Sequence, residues 1–72
     1  MESASVVSSN IDRIGFHRNT LYIQFRSGES YRYDGTPYRV YQTLINAESV
    51  GSAFHRYVKG KYRYTRLECN PF

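Results

Sequence analysis

Seventy-two residues limit the chain to one domain with a small core, because a chain of this size buries only about 60% of the surface its unfolded form exposes. One cysteine, Cys69, excludes an intramolecular disulfide, and with His17 and His55 far from it in sequence no zinc-type ligand set forms, so neither a metal nor a cofactor is expected. Ten Lys and Arg against six Asp and Glu leave a net charge of +4, and no stretch approaches the run of about 20 apolar residues that spans a bilayer. A single thiol and no secretion signal fit a reducing compartment, the cytoplasm.

Residues 1–10 are mostly polar (Glu2, Ser3, Ser5, Ser8, Ser9, Asn10) and are expected to be flexible. Ile11 to His17 is the first strand, with Ile14 and Phe16 on one face; Gly15 between them marks a bulge or a close backbone approach. Arg18-Asn19 is a two-residue turn. Thr20 to Arg26 alternates cleanly, with Leu21, Ile23 and Phe25 on one side and Tyr22, Gln24 and Arg26 on the other, as a half-buried antiparallel strand does. Ser27-Gly28-Glu29 turns the chain into a third strand, Ser30 to Asp34. A three-residue loop there sets Phe25 opposite Tyr31 and Ile23 opposite Tyr33, which adds both tyrosines to the apolar face; a two-residue loop turns them outward.

Thr36 is the expected cap of a first helix, with Pro37 at its first position, where the missing N–H is not needed. Val40, Tyr41, Leu44 and Ile45 recur at helical spacing. Ser49 caps a second helix, whose stripe is Val50, Ala53, Phe54, Tyr57 and Val58, and Gly60 ends it. The tail from Lys61 to Leu67 alternates again, as an edge strand or an extended arm; residues 68–72 are expected to fray. The fold class is α+β: a three-stranded antiparallel sheet followed by two helices on one face, with this tail attached.

Charge is distributed unevenly along that plan. Residues 1–36 balance Arg13, Arg18, Arg26 and Arg32 against Glu2, Asp12, Glu29 and Asp34. Beyond them, Arg56, Lys59, Lys61, Arg63 and Arg66 fall in one acid-free stretch, interleaved with Tyr57, Tyr62 and Tyr64. Cationic groups neutralise phosphates and tyrosine rings stack on unpaired bases, so this tail has the chemistry of a nucleic-acid surface. The same charges suit a solvated edge that resists strand-to-strand aggregation. On the outer sheet face, Tyr22, Gln24, Arg26 and Arg32 offer a second contact surface, although arginines paired loosely with Glu29 and Asp34 and an ordinary strand tyrosine are the favoured explanation. Tyr31 and Tyr33, beside Leu21 and Ile23, read as core. No acid is placed to orient either histidine and no glycine-rich phosphate loop occurs, so catalysis is not expected.

The ordered series Ser8-Ser9 before Ile11, Ile14-Gly15-Phe16, Leu21 and Phe25, Ser27-Gly28, Tyr31-Arg32-Tyr33, Pro37, Ala47, Ser49 and Gly51, Phe54 and Tyr62 resembles the KTSC domain, named for the C-terminal extension of some lysyl-tRNA synthetases and found also as small free-standing bacterial and phage proteins. The likeness covers residues 8–67 and frames a single domain over residues 11–67. Phe16 stands where that family often has Tyr, and Val50 where a Lys is common. The resemblance implies no catalytic residues; the family is described as of unknown function, with RNA binding suggested by its synthetase context. Two functions follow as expectations. One is a small non-catalytic module that binds nucleic acid, RNA before DNA, through Arg56, Lys59, Lys61, Tyr62, Arg63, Tyr64, Arg66, Tyr22 and Arg32. The alternative is a protein-interaction module, such as a phage or mobile-element factor that binds a host protein through strand addition or pairs with itself.

Overall fold

The computed structural model describes residues 1–72. Its elements are β1 (Glu2–Ser5), β2 (Ile11–His17), β3 (Thr20–Phe25), β4 (Ser30–Asp34), α1 (Tyr38–Ile45), α2 (Val50–Tyr57) and β5 (Tyr64–Leu67). The strands form one sheet in the order β1-β2-β3-β4-β5, every neighbouring pair antiparallel. The fold is α+β, but its sheet has five strands where the alternation pattern predicts three. No helix is long and apolar enough to cross a membrane.

The two added strands lie at the edges. β5 is the tail, paired with β4 in the register Tyr31↔Arg66 and Tyr33↔Tyr64. β1 falls in the segment expected to be flexible and instead pairs with β2 at Ala4↔Ile14 and Glu2↔Phe16. Its sequence, Glu-Ser-Ala-Ser, carries no apolar alternation; the open backbone edge of β2 and side-chain pins hold it. The Tyr38 hydroxyl donates to Glu2 Oε2 at 2.7 Å, and Arg13 Nη2 donates to Ser5 Oγ at 3.2 Å. The hydrogen bond to Glu2, with burial second, raises the Tyr38 phenol above its ordinary pKa.

Within β2 the irregularity sits at Asp12, not Gly15: Ile11 pairs with Phe25 and Arg13 with Gln24, leaving Asp12 as an extra residue. A bulge of this kind resets the alternation, which is why Ile11 and Ile14, three apart, are both buried on the helix side. Gly15 answers to the second expectation, close approach. A side-chain carbon there would come within 2.6 Å of both Met1 Sδ and a ring carbon of Phe72. Phe72 is thus folded back over the reverse face of the sheet, with the Arg13 guanidinium 5.8 Å from its ring centre, where fraying was expected.

The β3–β4 hairpin keeps the predicted faces but not the predicted partners. Ile23 pairs with Tyr31 and Leu21 with Tyr33, and the Phe25 N–H donates to the Glu29 carbonyl at 2.8 Å, so the loop is Arg26-Ser27-Gly28. The register differs by two residues, an even step, which preserves the sides on which all the side chains lie. Gly28, at φ 99°, supplies the left-handed residue the loop requires. Arg18 and Asn19, both at positive φ, make the expected two-residue turn.

Helix α1 begins differently from expectation. Pro37 occupies the cap position without a side-chain bond, while Thr36 is fully buried, its hydroxyl donating to the Tyr33 carbonyl at 2.9 Å and its N–H to the Asn19 carbonyl at 2.9 Å. Ser49 does cap α2, accepting from the Ser52 N–H at 3.3 Å. Both helices lay their apolar stripes on the sheet, so that Ile11, Ile14, Leu21, Ile23 and Tyr33 meet Val40, Tyr41, Leu44, Ala53, Phe54 and Val58 in one core. Burying each aliphatic side chain of this kind contributes about 1.5–3 kcal/mol.

Candidate functional site

At the β4–β5 end the core opens into a groove. The pleat of β4 turns Tyr31 and Tyr33 toward the helices, and the β5 register adds Tyr64 to the same side. Phe25 arrives from the end of β3 and Phe54 from α2. Successive ring centres lie 5.6 Å apart for Phe25–Tyr31, 5.9 Å for Tyr31–Tyr64, 6.1 Å for Tyr64–Tyr33, 5.7 Å for Tyr33–Phe54 and 5.8 Å for Phe54–Phe25. The five rings therefore form a closed circuit, at edge-to-face or tilted angles favourable for aromatic pairs. They floor a groove of about 620 Å³.

The rim is polar. The 8–10 loop forms one wall, latched by Arg26, whose Nε donates to the Ser8 carbonyl and whose N–H donates to the Asn10 carbonyl. Ser8 Oγ accepts from the N–H groups of Asn10 and Ile11, both at 3.3 Å, and so shapes the turn into β2. His55 from α2 and Lys59 from the turn just after it form the facing side, with Glu29 at the hairpin end. Glu29 is engaged by Arg66, Nη2 to Oε2 at 3.3 Å, whereas Lys59 makes no ion pair. Burial, and then the neighbouring Tyr31 and Tyr64, push the Tyr33 phenol up to about 12. A neutral aromatic floor under a rim with excess positive charge can take a flat ring that carries an anionic group.

The residues singled out from sequence are dispersed by the fold. Tyr64 and Lys59 line the groove, and Arg66 stands beside it, tied to Glu29. Arg56 lies one step away, its guanidinium 5.6 Å from the Tyr57 ring centre. Tyr62 is half-buried against the core, and Lys61 and Arg63 are exposed outside the groove. Tyr22 and Arg32 pair with each other on the opposite face of the sheet, where Arg32 Nε lies 3.4 Å from Asp34 Oδ1. Sequence reasoning did not bring Phe25, Phe54, Asn10 or His55 to a binding surface, and it set Arg26 on the outer sheet face where the structure places it at the groove rim. The two phenylalanines sit in regular apolar stripes, and nothing local distinguishes a core ring from one at the mouth of the core. No cluster of three or more His, Cys, Asp or Glu side chains is positioned to hold a metal ion.

Comparison with known proteins places the chain. The family model for the KTSC domain matches residues 7–62. A lysine–tRNA ligase from Trichormus variabilis is 44% identical over 48 residues, which are 67% of this chain and 9% of the ligase. An uncharacterised protein from Stutzerimonas stutzeri is 34% identical over 71 residues, covering 94% of this chain and all of that one. The crystal structure of a KTSC domain protein from Yersinia pestis superposes with a TM-score of 0.85 at 37% identity, over 92% of this chain and 96% of the other. The chain thus spans about a tenth of the length of the ligase it matches and nearly all of the two smaller proteins. The chain belongs to the KTSC domain family.

Proposed function

We propose that this KTSC domain is a small non-catalytic module that binds single-stranded nucleic acid, RNA before DNA, by taking an unpaired base into the aromatic groove. The observation that carries the reading is the closed circuit of Phe25, Tyr31, Tyr64, Tyr33 and Phe54 under the cations Arg26 and Lys59. Base–aromatic stacking contributes about 1–3 kcal/mol per base and is tolerant of sequence, because every base has a flat face. An aromatic cage also attracts organic cations, but the positive rim repels them and favours a ring attached to phosphate. Arg56, Lys61 and Arg63 extend the positive surface past the groove. The relatives named lysine–tRNA ligase act on an RNA, which agrees with this assignment.

The test is a fluorescence anisotropy titration of labelled single-stranded RNA, single-stranded DNA and duplex RNA at rising salt. Single strands bind best, and log affinity falls against log salt by about 0.7 for each phosphate neutralised. Absence of binding to any strand in low salt removes the proposal. The alternative, a protein-interaction module, draws on the free outer edge of β5, which can add a strand from a partner. Nuclease-resistant capture of one protein that is lost when β5 is disrupted, with no affinity for RNA, favours it.

A further inference from the structure

The aromatic groove does not end at His55. A second cleft of about 550 Å³ continues from it, and Ser9, Asn10, Gly51 and His55 belong to both. The remaining residues of the second cleft are Ser49, Ser52 and Arg56, so it contains no apolar side chain and no carboxylate. The two compartments share a wall and differ completely in chemistry: one is floored by five rings, the other lined by hydroxyls, an amide, an imidazole and a guanidinium. Arg56 makes no ion pair, and its contact with the Tyr57 ring orients it without neutralising it. Neither the His55 ring nor the Asn10 side chain is engaged in an intramolecular hydrogen bond.

We propose that the polar cleft is the phosphate compartment of the same site, so that the unit recognised is one unpaired nucleotide within a strand, its base in the aromatic groove and a flanking phosphate against Arg56 and His55. This rests on the nucleic-acid function proposed above and adds to it a second subsite and a fixed direction of exit for the strand. A phosphate in the cleft meets the fork of Arg56 and the N–H groups of the Asn10 amide with no carboxylate to repel it, and the Ser52 hydroxyl can donate because it only accepts from Ser49 Oγ, at 3.0 Å. An uncharged chain gains less there, and a duplex, whose bases are paired and stacked, offers no free base to the groove.

The test uses a fluorescein-labelled six-nucleotide single-stranded RNA, titrated into the full chain and into Tyr64→Ala, Arg56→Gln and Lys61→Gln, with circular dichroism confirming that each variant is folded. Lys61→Gln removes the same charge as Arg56→Gln but lies outside both clefts. Arg56→Gln is expected to weaken binding about fivefold more than Lys61→Gln and to flatten the salt slope by about 0.7, one phosphate of a single strand. A hexamer carrying uncharged methylphosphonate linkages should bind the parent chain weakly and be insensitive to Arg56→Gln. Inorganic phosphate alone, at millimolar concentration, should compete with the hexamer in the parent and not in Arg56→Gln. Equal losses for Arg56→Gln and Lys61→Gln, with Tyr64→Ala still damaging, overturn the phosphate compartment and leave the base groove standing. Failure of the hexamer to bind at all, or indifference to Tyr64→Ala, overturns the groove and the compartment together.

Discussion

Tyr33 and Tyr64 are register partners across β4 and β5, with ring centres 6.1 Å apart, yet one belongs to the core and the other to solvent. Tyr33 is 6% exposed and Tyr64 63%. The pair is the seam between what holds the fold and what the groove offers to a ligand.

That seam separates stability from binding. Tyr33→Ala removes a buried ring and is expected to cost about 3–5 kcal/mol in urea unfolding, enough to unfold much of a domain this small. Tyr64→Ala removes a largely exposed ring and should cost under about 1 kcal/mol, while weakening single-stranded RNA binding by about 5- to 150-fold, the range for one lost base stack. Equal effects of both substitutions on stability and binding contradict the division.

The raised phenol of Tyr33 makes stability depend on pH at the alkaline end. Below pH 10 the folded and unfolded chains both keep this proton, and its contribution is fully present. Between pH 10 and about 12 the unfolded chain gives it up and the folded one retains it. The unfolded state then binds fewer protons, so stability falls as pH rises through that window. Absorbance at 295 nm in native and urea-unfolded samples is the check: Tyr33, with Tyr38 and Tyr41, whose phenols are also raised, should ionise later than the other tyrosines in the folded chain. Eight tyrosines that titrate together near pH 10 while the circular dichroism stays native would exclude it.

Ser30 is buried at 3% exposure and its hydroxyl has no hydrogen-bond partner. Leaving such a group dry costs roughly 1–3 kcal/mol, so Ser30→Ala is expected to leave stability unchanged or raise it by about 1 kcal/mol. Thermal unfolding measures this, and a clear drop in midpoint indicates a bond that the hydroxyl makes in solution.

Gly15→Ala places a methyl group 2.6 Å from Met1 Sδ and from the Phe72 ring. Both obstacles are ends of side chains near the chain termini, so they yield: a loss of under about 1 kcal/mol is expected, together with displacement of Phe72 from Arg13. Nuclear Overhauser contacts between the Phe72 ring and β2 report it. Persistence of those contacts in the variant shows that the ring does not rest on Gly15.

The strands with a strong period were legible in the sequence, because Leu21, Ile23 and Phe25 cannot face the core unless their neighbours face away. The Ser49 cap was legible for the same local reason. β1 was not, since its polar residues are placed by the β2 edge and by the Glu2–Tyr38 bond, whose partners are far apart in sequence. The Asp12 bulge escaped because only the joint burial of Ile11 and Ile14 exposes it. Thr36 looked like a cap by residue type, but burial next to Tyr33 and Asn19 redirected both of its donors. The groove was half visible: Tyr64 and Lys59 stood out by composition, whereas Phe25 and Phe54 join them only through the β3–α2 contact. Tyr22 and Arg32 went to the reverse face, as the pleat requires.

The sheet order carries a consequence for the way the groove comes into being. β1 to β4 join neighbours in sequence and close through short loops, but β5 reaches β4 only after both helices have been traversed. Long-range closure is entropically the later event. Tyr64 is therefore the last ring to arrive, and the aromatic circuit is completed only when the final strand docks. A nascent or partly folded chain has its hairpins and its core before it has its groove, so the five-ring surface on which the proposed base contact rests belongs to the finished molecule alone.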